Sequence, residues 1–581
     1  MNSAMRTIAS FAVAVLVGIA CVRTDAVQPE PHATLRIGVW TLWRDREVQV
    51  SSAGAAEMRE CAGCAARALA SAVDLRANGD GLLMNARRVD GPLQLTGAVT
   101  LRAHEETLTL HHPVRIVARG GVLVIAVELP VETYVEEVVA SESGPADSME
   151  SLKALAVVVR SFALHERHGH ADYDLCDSTH CQLLHWGGAS PRRAAAHAAA
   201  LATAGETLWF HGQRALAYFN KDCGGRSAAV EEVWPKARPA SYLASRADPF
   251  CTGAGSEWAS QLSRGELASA LATHGLAAPG WQRLAVDKRA VSGRVLSMRV
   301  DGAVIGAEDF RIAVGESLGW NKVPSTWFEV NPQGDRFFFH GRGWGHGVGL
   351  CQKGGAAMAA QGHSETEILA QYFPGAEAAD EATGHAWKTT VRSPVVLESL
   401  NDSDAVWLPE LANAFDDASE RSGIVGRSRI TVRAFPSTES FRNATLAPGW
   451  VAAFTEGNWI AVQPLRILAA RHLLADTMRH EFLHVLVEQE ASASTPLWLR
   501  EGLVEVWSAS DAKKAVLRER RPVMSADAVN AALAHAATEA DSATAHRDAG
   551  RFVIQLLDRY GRGQVIAWLK SGVPAGVLRG L

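Results

Sequence analysis

From Leu35 to Ile125 the chain alternates short apolar runs with turns: Leu35-Arg36-Ile37-Gly38-Val39-Trp40, Leu93-Gln94-Leu95, Val114-Arg115-Ile116-Val117 and Val122–Val127. Runs of this length, bounded by turn residues, predict strands and hence a β-rich lobe. The pattern changes at Pro130. A short helical segment follows and breaks at Ser141-Glu142-Ser143-Gly144-Pro145. A second helix then carries Leu152, Leu155, Ala156 and Val159 at the three-and-four spacing of a buried face. Gly144 and Pro145 make the break local and stiff, so Glu142 is held on a fixed turn between two helices. Lys153 and Arg160 lie about two turns apart on the second helix and share a face. One carboxyl opposite two cations suits an acid/base site; it equally describes a plain ion-pair network.

Further on, Ala217–Ser227 reads as a strand running into the turn Gly224-Gly225, which lacks the Lys-Ser/Thr of a phosphate loop and so excludes nucleotide binding there. Phe337-Phe338-Phe339 is a strand entering a loop in which every second residue from Gly341 to Gly349 is glycine. Such a loop needs positive φ or close backbone approach. Arg342, Trp344 and His346 alternate with these glycines and are expected to point to one side. The acidic, Ala-rich stretch AEAADEATGHAWKTTVRSPV predicts a linker over 377–395. Beyond it, 406–419 reads as a helix, and Ile430–Phe435 and Trp459–Val462 read as strands.

The length of 581 residues leaves room for roughly three or four domains. A net charge of -6 argues against a nucleic-acid partner, which calls for a basic surface. Seventeen Trp against six Tyr hints at flat aromatic faces of the kind sugar clefts use, although Trp also serves as core. Arg6 followed by the apolar run Ile8–Ala20 has the form of an export signal, too short to span a bilayer comfortably, with small-residue cleavage patterns up to Ala26. Residues 1–26 are therefore expected to direct export to the periplasm or cell envelope. Cys21 directly after Ala20 also fits lipid anchoring, although Gly18 stands where such signals usually carry Leu.

Seven cysteines follow Cys21, an odd number, so at least one is free or metal-bound. Cys61-Ala62-Gly63-Cys64 suggests a local disulfide, and Cys223 with Cys251 a loop staple. His168-Gly169-His170 with Cys176, His180 and Cys181 can close a tetrahedral zinc site of mixed S and N ligands. The alternative is a Cys176–Cys181 disulfide with solvated histidines.

Four segments occurring in order across roughly residues 35–376 carry a resemblance: LPVETYVEEVVASES…SLKALAVVVRSFAL, LCDSTHCQ, AYFNKDCGGRS…EEVW and GRGWGHGVGLCQKGGAAMA…ILAQYFPGA. This combination resembles the SpoIID/LytB family of bacterial cell-wall proteins. The resemblance implies a lytic transglycosylase that cleaves peptidoglycan glycan strands, or else an enhancer of a cell-wall amidase. It places the catalytic acid on Glu142, groove cations on Lys153 and Arg160, and zinc ligands on Cys176, His180, Cys181 and His170. Arg342, Trp344 and His346 of the glycine motif are the remaining substrate-binding candidates. Cys351 departs from the motif, which commonly has Ser there. The chemistry is coherent on its own terms: Glu142 protonates the bridging oxygen, then as carboxylate takes a proton from the C6 hydroxyl, which closes a 1,6-anhydro ring on C1. Hydrolases usually need a second carboxylate. As an acid Glu142 needs a pKa near neutrality, which burial favours and neighbouring cations oppose; the sequence leaves that balance open.

Met478–Leu486 contains His480-Glu481-Phe482-Leu483-His484, an HExxH motif in an apolar helix. Its two histidines are four apart and so face one metal, with Glu481 beside the water it would activate. Pro496–Glu505 resembles the second helix of gluzincin metallopeptidases of the peptidase-MA-like type, with Glu501 in the place of the third zinc ligand. His546 stands where an aromatic hydroxyl is expected in that resemblance. The expected architecture is therefore α+β: a mixed β-rich and helical SpoIID-like domain over 35–376, then a mainly helical gluzincin-like domain with a small sheet over 396–581. The expected function is glycan cleavage at the cell wall by Glu142, with an appended zinc peptidase acting on an undefined peptide or protein. The alternatives are a non-catalytic amidase enhancer and a wall-anchored zinc metallopeptidase.

Overall fold

Leu35, Ile37 and Val39 are buried on the strand Thr34–Val39, each opposite a buried residue of Val122–Pro130: Leu129, Val127 and Ile125 respectively. A one-residue slip would turn the set toward the other face, so burial holds the register. The pair belongs to a large sheet in a computed structural model. It describes residues 34–578, apart from 62, 90, 168, 188–189, 253–255, 449, 493, 520–521 and 535–538. The expected export signal, Cys21 and His168 lie outside the described residues. Along the sheet the strands run Leu175–Cys176, Thr34–Val39, Val122–Pro130, Val114–Arg119, Leu93–Ala103, Glu47–Arg59, Val73–Asn78, Gly81–Met84 and Arg87–Val89. All these neighbours are antiparallel except the first pair, where Gly38 lies beside Cys176 in parallel register.

Pro130 ends the strand Val122–Pro130, and the helix Val131–Glu142 starts at once, burying Val131, Tyr134, Val135, Val138 and Val139 at helical spacing. The next helix, Met149–His165, starts with the Ser148 N–H donating to Ser151 Oγ at 3.0 Å. It is buried nearly all round from Ala154 to Ala163, more completely than a single apolar face predicts, because it runs through the centre of the core. Residues 257–342 build a core of their own, in which Leu267, Met298, Phe310, Phe328, Phe337 and Phe339 pack together. Phe337 and Phe339 point into that core from the strand Arg336–Arg342, whose far end delivers the glycine loop.

The C-terminal part has a five-stranded sheet in the order Lys388–Arg392, Val395–Ser399, Ile430–Ala434, Trp459–Val462 and Ala453–Glu456; the central three strands are parallel and the outer pairings antiparallel. The helices Leu408–Ser422, Leu474–Glu490 and Leu497–Ser508 share its apolar core. The whole is a mixed α+β architecture with several sheets, as expected. The stretch 377–395, expected as a linker, carries two strands. Glu377–Asp380 pairs with Glu206–Phe210 on one side, and Lys388–Arg392 pairs with Val395–Ser399 on the other. No helix among the described residues is long and apolar enough to cross a membrane.

Cys61 and Cys64 form the expected disulfide. The Cys223–Cys251 staple is corrected: both are free and buried, as is Cys351, and Cys176 and Cys181 are also unpaired.

Candidate functional site

Glu142 is the last residue of its helix, where Ser143 turns to extended backbone. The turn is tied by the Gly144 N–H donating to Asp147 Oδ2 at 2.7 Å. Two adjoining cavities, of about 380 and 630 Å³, share Ser141, Glu142, Lys221, Trp344 and Gln352 in their walls and form one cleft. Burial pushes the Glu142 pKa up to about 7, against the opposing pull of the Leu183 N–H and the Lys221 ammonium. The balance left open by the sequence thus falls to desolvation, and a carboxyl that holds its proton near neutrality is suited to general acid catalysis.

The cation near Glu142 is Lys221, which the sequence reading passed over. Its Nζ lies 5.0 Å from the centroid of the Trp344 ring. Lys221 follows the strand Phe219–Asn220, which runs parallel to Leu350–Cys351 at the exit of the glycine loop. Gly343, Gly345, Gly347 and Gly349 all have positive φ. A Cβ on Gly349 would come within 2.1 Å of the Tyr218 carbonyl oxygen, and one on Gly343 within 2.8 Å of that of Asp222. The glycines therefore let the loop lie against the chain that carries Lys221.

Of the alternating residues, Trp344 and His346 line the cleft. Trp344 is 39% exposed. Burial lowers the His346 pKa to about 4, and its Nδ1 accepts the Val348 N–H at 3.0 Å, so at neutral pH the ring is uncharged with its proton on Nε2. Arg342 instead packs over Trp327, 5.1 Å from the ring centroid. The two expected groove cations are placed elsewhere. Arg160 is fully buried and grips Glu132 through two hydrogen bonds, also donating to the Glu206 and Ala200 carbonyls. Lys153 is held by Glu150 at 2.8 Å and lines neither cavity. They share a helix but not a site, because Arg160 lies where that helix crosses the core.

Three other carboxylates border the larger cavity. Asp147 is engaged by Gly144, Asp222 by Ser256 at 2.7 Å and Lys353 at 3.2 Å, and Glu257 stands 3.7 Å from Arg342.

His170, Cys176, His180 and Cys181 bring their donor atoms within 4.8 Å of one another. His170 Nε2 is 3.3 Å from Cys181 Sγ, and His180 Nδ1 is 3.8 and 3.6 Å from the sulfurs of Cys176 and Cys181. Two free thiols and two imidazoles in this space fit a tetrahedral zinc ion. The loop is anchored by Asp177, which accepts from the Trp40 and Thr41 N–H groups and the Trp186 indole. It continues into Leu183, whose N–H meets Glu142, and His185, whose N–H donates to Ser141 Oγ at 3.0 Å. The donor cluster and the buried carboxyl are thus mechanically linked.

A second constellation lies in the C-terminal body. On the helix Leu474–Glu490, His480 and His484 approach with Nε2 atoms 3.1 Å apart. Glu501, on the helix Leu497–Ser508, places Oε2 3.8 Å from His484 Nε2 and 3.4 Å from His546 Nε2. Burial raises the Glu501 pKa, but the neighbouring histidines overcome it and hold the group at about 2. The His480 pKa is lowered to about 3, chiefly by burial and then by His484. A carboxylate with two imidazoles is a donor set suited to zinc. The Glu481 pKa is raised by burial, and its Oε2 accepts the Thr455 hydroxyl at 2.6 Å. His546, which stands where the resemblance expects an aromatic hydroxyl, lies beside Glu501.

Comparison with known proteins bears on the first of these sites. Residues 119–210, which include Glu142 and the Cys/His cluster, match the SpoIID family, described as Stage II sporulation protein. Residues 254–349, the separately cored region with the glycine loop, match a domain of unknown function (DUF8618). An uncharacterized protein of Brachyspira hyodysenteriae is 30% identical over 261 residues, spanning 44% of this chain and 69% of that protein. Stage II sporulation protein D of Bacillus subtilis is 27% identical over 267 residues, 43% of this chain and 74% of the relative. The amidase enhancer of the same organism is 25% identical over 286 residues, 41% of this chain and 39% of the relative. Through the domain that carries Glu142, the chain belongs to the SpoIID family.

Proposed function

We propose that this protein acts at the bacterial cell wall and cleaves peptidoglycan glycan strands as a lytic transglycosylase. The observation that carries the reading is Glu142, set between two joined cavities with its pKa raised to about 7. A protonated Glu142 donates to the bridging oxygen as the bond from C1 to that oxygen breaks. The resulting carboxylate, steadied by Lys221 and the Leu183 N–H, accepts the proton of the C6 hydroxyl as its oxygen bonds to C1. Trp344 offers a flat face for a sugar ring. Engagement of Asp147 and Asp222 by their own partners favours this single-carboxyl route over hydrolysis. Zinc at His170, Cys176, His180 and Cys181 would be structural, holding the Leu183 amide in place.

The test is mass spectrometry of peptide-free glycan strands after incubation with wild type and Glu142→Gln. Anhydro-muramyl ends that vanish in the variant are expected. Absence of these ends with both proteins, despite intact folding and strand binding, would leave the amidase-enhancer role suggested by the name of one relative.

The C-terminal body reads as a zinc peptidase of gluzincin type, with His480, His484 and Glu501 as ligands. Zinc held by them would contribute Lewis-acid activation of water and of a peptide carbonyl. Glu481, oriented by the Thr455 hydroxyl, takes and returns the proton. Thr455 belongs to the edge strand Ala453–Glu456, along which an extended peptide could align. The reading places the chain outside the cytoplasm, in keeping with the export signal expected from its first residues.

A further inference from the structure

Cys223, Cys251 and Cys351 are far apart in sequence, and all three are buried as free thiols in one place with Asp248. Their sulfurs and an Asp248 oxygen lie within 4.8 Å of one another. We propose that these four residues form a closed structural metal site of Cys3Asp type, selective for zinc or a similarly thiophilic divalent ion.

Four donors in this space match a tetrahedral shell, whose metal–sulfur distance of about 2.3 Å puts neighbouring ligand atoms a little under 4 Å apart. Thiolates select soft or borderline ions over magnesium or calcium. Cys223 Sγ lies 3.2 Å from the Asp248 carboxylate and Cys251 Sγ 3.1 Å from that of Asp222, while one sulfur faces backbone donors. Cys351 Sγ accepts the Cys223 N–H at 3.3 Å and the Gly354 N–H at 3.4 Å. Asp248 is oriented from both sides: Oδ2 accepts the Tyr372 hydroxyl at 2.9 Å, and Oδ1 accepts the Phe250 and Cys251 N–H groups. Such contacts orient ligands and tune a metal site. An independent sign is Arg294, fully buried, which donates through Nη2 to the Cys223 carbonyl at 2.9 Å, while its Nε and Nη1 have no hydrogen-bond partner among the described residues. A buried cation needs nearby negative charge, which Glu308 and Glu232 supply in part. Three thiolates and a carboxylate around one divalent ion leave the cluster negative beside it.

The site would clamp three separate segments: the turn after Phe219–Asn220, the 248–251 loop, and the exit of the glycine loop. Lys221 and Gln352, which border the cleft, lie within two residues of Cys223 and Cys351. The metal therefore acts as a staple behind the cleft wall, distinct from the Cys/His cluster beside Glu142.

The test compares the metal content of purified full-length wild type with that of Cys351→Ser, which keeps an acceptor for the Gly354 N–H. The variant should lose about one zinc equivalent per chain, and the cobalt-loaded protein should lose thiolate-to-metal charge-transfer absorption. Equal metal content in the two proteins overturns the proposal, as does a Cys223–Cys251 disulfide found by mass spectrometry of unreduced wild type. If the variant fails to fold, anomalous scattering from zinc-grown crystals of wild type decides: a peak bonded to the three sulfurs supports the site, and its absence there overturns it.

Discussion

Arg433 lies 2.6 Å from Glu206, an ion pair buried between the SpoIID domain and the C-terminal sheet. Arg433 also holds Glu398 of its own sheet at 2.8 Å, and the Glu206 backbone carbonyl accepts from Arg160. Leu201 and Ala204 pack nearby with Phe435 and Phe441, so an apolar patch encloses the charges. The two parts of the chain thus share one buried junction.

Arg433→Ala should leave the buried Glu206 and the partly buried Glu398 without this cation and cost about 3–5 kcal/mol of stability, read by denaturant unfolding. Burial already raises the Glu206 pKa, with Arg433 pulling it down. Without Arg433 it rises further, so the deficit should be largest at neutral pH and shrink as acid protonates the group. A deficit independent of pH would contradict this.

Glu142→Gln should lower formation of anhydro ends by about 10²–10⁴-fold, the usual scale of general acid–base catalysis. The fold should not suffer. A pKa raised from 4.5 to about 7 means that ionising Glu142 costs the folded state at most about 3 kcal/mol. Wild type should therefore lose stability relative to the variant as pH rises from 4.5 through 7. Parallel stability curves for the two proteins would refute the placement.

Activity that requires protonated Glu142 should fall above pH about 7. Lys221 favours the carboxylate, so Lys221→Met should raise the pKa and move the basic limb of kcat/KM to higher pH. Product release from glycan strands across a pH series measures the shift. A limb that stays in place would exclude the coupling.

His170→Ala should release about one zinc equivalent and weaken glycan cleavage through displacement of the Leu183 amide from Glu142. Metal analysis and anhydro-end yield are measured on the same preparation. Full zinc content in the variant would remove His170 from the ligand set.

Glu501→Ala should abolish metal binding between His480 and His484 while leaving anhydro-end formation intact. Peptidase assays on casein and glycan assays run side by side separate the two sites; loss of glycan cleavage with retained folding would show that they are coupled.

Much of this protein was legible in local pattern. Alternation at Leu35, Ile37 and Val39 specified an inward strand face, and the four-residue spacing of His480 and His484 brought their imidazoles together on one helix. The Ser143-Gly144-Pro145 break placed Glu142 at a helix end, and the alternating glycines marked a loop of positive φ. These features depend on backbone periodicity and local sterics, which a few neighbouring residues determine. Tertiary structure decided the rest. Lys153 and Arg160 have the spacing of a paired cationic face, yet burial at the centre of the core gave Arg160 to Glu132, and Lys221, from the turn after a distant strand, took the place beside Glu142. Cys223 and Cys251 suggested a staple until folding brought Cys351 and Asp248 to them. Whether Glu142 would be acid or anion depended on desolvation against charge, and that sum is fixed only when every surrounding residue is in place.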